Sequence, residues 1–400
     1  MTELDKKTAW QALTVLHPVF ALTGVLQVVH GALLPSLAAR FGFNDSHSGL
    51  LLTLYFIGTA LGALLCRPNY GRSIVTGLAG VTCCCLGIAA GAQGVLFPLF
   101  FLMGLGWGVS CSSVSLFVGR NMPSRCAATL TFLNLSWSIG ALVAPLLAAA
   151  LLAYHDYRVA YASLAILSTL AAAICLRLPA DRMEQGRSEA RRPQNPQTWK
   201  LTASLPDLRL LATFGLLVFL ETGIENIAVT WLATFSLRSS NFGFGSTGFG
   251  AAAAFSSLFW CGFLASRGVS SFLLLRVDPV QVLRSAVALA LASALLIAVF
   301  PAGPTRGPAL FFLGAALGPI FPLLLSLFFG QARRTSDTRW ILAFSGVGGS
   351  VLPWVTGWLS TRSGSLRIGL VTVPVALLTM AFFVYSLSRK QPAPATAALR

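Results

Sequence analysis

The stretch 257–267 reads SLFWCGFLASR, and two hundred residues upstream 58–67 reads GTALGALLCR. Both end an apolar run in the same way: Gly62, Cys66 and Arg67 in the earlier copy, Gly262, Ser266 and Arg267 in the later one. Two more matches lie at a similar offset. Gly104-xxx-Gly108 pairs with Gly314-xxx-Gly318, and Gly140 followed by Pro145 pairs with Gly348 followed by Pro353. Small residues at four-residue spacing commonly serve only to let membrane helices approach closely, so each pair alone is weak. Three in register describe a duplicated chain.

The runs that carry these pairs are long enough to cross a bilayer. A hydrocarbon core about 30 Å thick needs about 20 mostly apolar helical residues, because the backbone must satisfy its own hydrogen bonds there. Twelve such runs are read at 13–38, 48–66, 73–92, 95–119, 126–153, 157–177, 209–236, 247–266, 283–301, 307–330, 339–360 and 366–387. The composition agrees, with 56% hydrophobic and only 10% charged residues, against about 25% charged in an ordinary globular domain. A soluble fold is excluded.

The only long polar stretch, 178–208, is rich in Arg, Gln, Pro and Ser and divides the runs six and six. It reads as a solvated connector. The predicted plan is an all-α integral membrane protein: a tail over 1–12, a six-helix bundle over 13–177, the connector 178–208, a second bundle over 209–387 and a tail over 388–400. Two like bundles related by an axis along the membrane normal place a ligand site between them at mid-membrane depth.

The net charge of +16 would elsewhere suggest a nucleic-acid partner. Its distribution says otherwise. With the spans as read, 22 of the 28 Lys and Arg fall on the side that carries both termini and the connector, and 6 on the other. The positive-inside rule therefore predicts cytoplasmic termini in the cell inner membrane and explains the basicity as a topology signal, with no nucleic-acid partner. The first run has no signal-peptide cleavage pattern and is read as a retained helix.

Several stretches together resemble the major facilitator superfamily, and within it the fucose-permease-like sugar transporters: LLPSLAARFGFNDSHSG (33–49), FLNLSWSIGALVAPLL (132–147), FLETGIENIAVTWLATF (219–235), LGPIFPLLLSL (317–327) and GVGGSVLPWVTGWLSTRSGSLRIG (346–369). The resemblance implies a monomeric secondary transporter, not an enzyme, that moves a hexose-like sugar with protons by alternating access. It also assigns gating to Arg67, Arg72 and Arg267. Two departures stand out. Cys66 and Ser266 occupy the place of the superfamily's loop Asp, and Gly31 and Val109 occupy the places of the subfamily's acids in the first and fourth helices.

Of the 12 acidic residues, only Glu221 and Glu225 lie inside a span. An ionisable group at membrane depth is expensive and by default suggests function. At i and i+4 the two share a helical face, and two such carboxylates should not both stay ionised in a poorly hydrated cavity. The pair reads as a proton carrier, or as one structural acid beside one that accepts a solute hydroxyl. Glu225 matches the subfamily's pattern and is weighted first. His30 is read either as a further proton relay and solute donor or as a structural histidine, and His17 as structural.

Solute contacts are expected from Gln27, His30, Asn134, Trp137, Glu225, Asn226, Trp231 and Trp260, because amides, an acid and flat rings suit the hydroxyls and C–H faces of a sugar. Each Trp is equally explained by packing or interfacial anchoring. No Lys or Arg is expected deep in a span, since Arg120 and Arg267 are read at helix ends; this disfavours anionic solutes. A sugar uniporter and an exporter of drugs or organic cations are the alternatives. The eight cysteines read as small packing residues, with no metal or cofactor expected.

Overall fold

A computed structural model describes residues 3–66, 69–91, 93–121, 126–154, 156–176, 208–239, 246–274, 276–300, 304–331 and 338–387. In the first half, α1 is Glu3–Phe41, α2 Asp45–Leu65, α3 Tyr70–Ala89, α4 Leu96–Asn121, α5 Cys126–Tyr154 and α6 Tyr157–Cys175. The second half holds α7 Leu208–Ser239, α8 Ser246–Leu273, α9 Pro279–Val299, α10 Arg306–Leu317, α11 Ile320–Gln331, α12 Thr338–Ser363, α13 Leu366–Gly369 and α14 Thr372–Leu387. Every regular element among the described residues is helical.

Eleven described segments are long and apolar enough to cross a membrane. The remaining crossing is α12, whose 26 residues suffice for the thickness but are diluted by Gly, Ser, Thr and Trp. It packs between α7 and α2 and leaves Phe344, Val347, Val351, Trp354 and Trp358 exposed along one apolar face. α1 begins at Glu3, so helix extends into the stretch expected as a tail. The connector up to residue 207, and 388–400, lie outside the described residues.

The tenth crossing is broken into α10 and α11 at Gly318 and Pro319. Pro322 has no N–H, so the Gly318 carbonyl loses the donor that a continuous helix would supply. That orphan acceptor is used in the site described below. Elsewhere the helices start as their sequences dictate: Asn44 accepts from His47 N at 2.8 Å to open α2. Asp278 accepts from Val280 N and Gln281 N at 3.1 and 3.2 Å to open α9, with Pro279 in the first turn.

The duplication is visible in what each repeated glycine touches. A Cβ on Gly62 would strike the Leu105 carbonyl of α4, and one on Gly262 the Phe311 carbonyl of α10. Gly104 lies against the Tyr55 carbonyl and Gly314 against that of Phe259; Gly140 meets Ala21 and Gly348 meets Phe219. Each pair contacts residues offset by about the same interval as the pair itself. The two halves are therefore built on one packing plan.

The bundles meet along three seams, α1 on α7, α2 on α12 and α5 on α8. On the first, a side chain at Gly31 would collide with the Val229 carbonyl. That close approach of backbones explains why no acid stands at this position. At Val109 only the backbone nitrogen is packed, against Gly62, and nothing in the structure explains the absence of an acid there.

Candidate functional site

Polar side chains from both bundles converge where α1 crosses α7. Gln27 of α1 lies with its Nε2 3.5 Å from Oδ1 of Asn226 on α7. Asn226 is buried and wedged against Gly349 of α12, where any side chain would displace its amide. The next residue back, Glu225, is 8% exposed, and Glu221 one turn away is fully enclosed. Glu221 Oε2 accepts from Thr222 Oγ1 at 3.1 Å, and Thr222 is 2.9 Å from Ser345 of α12. Glu221 Oε1 has no hydrogen-bond partner, so the pair is only partly satisfied.

Arg267 lies near the end of its span, three residues before Ser270, yet its side chain reaches into the seam. α8 continues to Leu273, six residues past Arg267, which the sequence places at its end. From inside the helix the half-buried Arg267 reaches α5 of the other bundle, donating from Nη1 to Ser138 Oγ at 2.9 Å and lying 3.5 Å from the Asn134 carbonyl. Its Nε donates at 3.2 Å to the Gly318 carbonyl that Pro322 leaves open. The guanidinium also covers Phe263 at 4.3 Å and Trp137 at 5.5 Å.

Trp137 and Trp260 face each other across the α5–α8 seam, ring centroids 6.1 Å apart and nearly perpendicular. Both are buried, and Asn134 is exposed on α5 a turn away. Gln27, Asn134, Trp137, Glu221, Glu225, Asn226, Trp260 and Arg267 thus form one connected region.

His30 and Trp231 do not join it. His30 lies inside the first bundle, stacked on Tyr161 at 5.8 Å, edge-on to Tyr55 at 4.8 Å and bonded through Nδ1 to Tyr161 Oη at 3.1 Å. Trp231 donates from Nε1 to the Pro353 carbonyl at 3.0 Å and packs on Gly49 and Gly357, between α2 and α12. Of the other predicted gate residues, Arg72 is exposed at the start of α3, and Arg67 lies outside the described residues.

A second charged cluster closes the side opposite the termini. Asp45 at the start of α2 accepts two hydrogen bonds of 2.6 Å from Arg238 at the end of α7 and one from Ser360 of α12. Ser46 N donates to Thr361 Oγ1 at 2.8 Å. Asp45 is almost buried while Arg238 is half-exposed. In the sequence both read as loop-end charges; the available signal is that this side has few acids and that Asp45 sits at a helix N-terminus beside a span.

Two six-helix halves of common packing plan, with a polar site between them, define a membrane transporter of the two-bundle type. The profile of the Major Facilitator Superfamily matches residues 16–338, and the chain belongs to that superfamily. No curated protein sequence matches significantly. Among solved structures, a bacterial homolog of the human lysosomal transporter Spinster, inward-facing and occupied, is 13% identical with a TM-score of 0.69, 98% of each chain being covered. A mutant form of the nucleoside transporter NupG is 15% identical with a TM-score of 0.70, covering 93% of this chain and 99% of that one. FucP in its outward conformation is 19% identical with a TM-score of 0.60, covering 96% and 100%.

Proposed function

We propose that this transporter moves a small neutral polar solute, of which a hexose-like sugar fits best, together with a proton across the cell inner membrane. The supporting observation is the meeting of Gln27 and Asn226 from opposite bundles directly beside Glu225. A solute held by both amides touches both halves at once, as alternating access requires. Trp137 and Trp260, packed on each other at the α5–α8 seam, would offer apolar ring faces to a sugar when the halves part.

Arg267 changes the charge argument without reversing it. One guanidinium balances one carboxylate, and the remaining acid in a poorly solvated site is the group that takes up and releases the proton. Since Arg267 is held by Ser138 and Gly318 and lies over Phe263 and Trp137, it is not an open anion site. With Glu225 protonated the site is neutral overall and suits an uncharged solute. The side with the termini is taken as cytoplasmic, Arg267 and Arg72 as part of the inner gate and Asp45 with Arg238 as the outer one.

A second reading rests on the same count: two carboxylates against one guanidinium leave one negative charge, which would attract an organic cation for export. Uptake of labelled sugars into proteoliposomes, with and without an imposed pH gradient, tests both. Acid-driven sugar accumulation supports symport. Sugar flux indifferent to the gradient marks a uniporter, and lipophilic cations that compete where no sugar does mark the exporter.

A further inference from the structure

The second bundle contains another concavity, on the opposite side of α7 from the amide contact. Ile224, Ile227, Leu232 and Phe235 of α7 form one wall, and Leu310 and Leu313 of α10 another. The α7 wall extends over roughly 16 Å at 1.5 Å per residue. Most of the lining is buried. The lining residues that reach the surface are Ala228 of α7 and, clustered together, Ile297 and Ala298 at the end of α9, Leu370, and Arg367.

The mouth therefore opens between the end of α9 and α13, and its flanks, Leu296, Val299, Ile368 and Val371, are exposed apolar side chains. In a bilayer such side chains lie among acyl chains. Arg367 stands at the rim, with Nε and Nη2 capping the Ala298 carbonyl at 3.1 and 2.7 Å and Nη2 reaching Val299 O at 3.3 Å. Among the described residues its Nη1 has no hydrogen-bond partner and no carboxylate lies within ion-pair distance of it.

We propose that this pocket holds a phospholipid of the surrounding bilayer with an anionic headgroup. One acyl chain enters between α9 and α13 to lie along α7, the other stays in the membrane, and the phosphate rests on Arg367. An apolar slot with a single cation at a lipid-facing mouth fits that amphiphile, since the chain gains burial and the guanidinium gains an oxygen partner. Ile224 adjoins Glu225 and Ile227 adjoins Asn226, so α7 is a wall shared by the lipid pocket and the polar site. A bound chain braces the helix that carries the glutamates. This holds whichever solute is transported.

The test is lipid retention by the full-length protein. Protein reconstituted in equal phosphatidylglycerol and phosphatidylcholine, then washed in detergent, is extracted and its lipids counted by mass spectrometry. Phosphatidylglycerol should be retained about tenfold over phosphatidylcholine, equivalent to ~1.4 kcal/mol. Arg367→Gln should erase that preference, and Ala294→Phe, which fills the pocket, should remove retention of both. Ala298→Leu at the mouth replaces the latter if Ala294→Phe lowers folded yield. Equal retention of the two lipids that neither substitution alters overturns the proposal. So does recovery of a free fatty acid that phosphatidylglycerol fails to displace.

Discussion

α1 and α7 are counterparts in the two halves, yet they treat their ionisable groups in opposite ways. α1 turns His30 inward, into a cage of Tyr55, Phe100 and Tyr161 belonging to its own bundle. α7 keeps Glu221 and Glu225 beside Asn226, whose Oδ1 lies 3.5 Å from Gln27 of the other bundle, while Arg267 of the neighbouring α8 is anchored on α5. A charge that changes inside one rigid bundle alters only that bundle's stability. One that changes at the seam alters how the halves fit together, which is the quantity a rocking transporter must control.

The largest effect should follow from removing the proton-binding group on α7. Glu225→Gln keeps the shape and hydrogen-bonding capacity but cannot release a proton, so acid-driven accumulation in proteoliposomes should fall to the level of simple equilibration. Counterflow exchange at fixed pH should survive. Accumulation that persists in this variant would remove Glu225 from the coupling scheme.

Next in size is Arg267→Ala, which leaves two carboxylates facing each other without a cation. The loss should be about 2 kcal/mol of stability, discounted from the fully buried case because the guanidinium is half-exposed, and is read as a lower unfolding temperature in detergent. Adding Glu221→Gln should recover most of it. A double variant no more stable than Arg267→Ala alone would mean that the Arg acts through Ser138 and Gly318 and not through the acids.

The two closures of the seam can be set against each other in the same way. Asp45→Asn keeps the Ser360 contact but weakens the bidentate grip of Arg238, so the far side should open more often. A cysteine at Ser46 should then react about tenfold faster with a membrane-impermeant maleimide, a shift of ~1.4 kcal/mol in the opening equilibrium. An unchanged rate would show that Trp231 and the α2–α12 packing alone hold this side shut.

Much of the fold was legible because its causes are local or periodic. Hydropathy marks the crossings, and the repeated glycines mark where backbones touch, down to equivalent carbonyl partners in each half. The site was legible where adjacent chemistry carried it, as with Glu225 and Asn226 on one turn. Arg267 was legible only as a gate residue by resemblance; its partners were not, because they depend on a carbonyl freed by Pro322 in another helix and on the facing α5. The direction of His30 was hidden for a different reason. α1 is buried around almost its whole circumference, so no polar face indicated which way any one side chain points.

The smallest expected effect concerns that histidine and sharpens the contrast most. His30 Nε2 is buried without a hydrogen-bond partner, while Nδ1 is bonded to Tyr161. Phe at position 30 would remove the unsatisfied nitrogen but strand the Tyr161 hydroxyl, so the two changes should nearly cancel, within about 1 kcal/mol. Changing Tyr161 to Phe as well removes both polar partners and should bring the unfolding temperature to or above that of the parent. In neither variant should the pH dependence of uptake move, because the imidazole is enclosed in one bundle and its protonation is not felt at the seam. A displaced pH profile in His30→Phe, with stability intact, would make α1 a second carrier of the coupling and end the asymmetry between the halves.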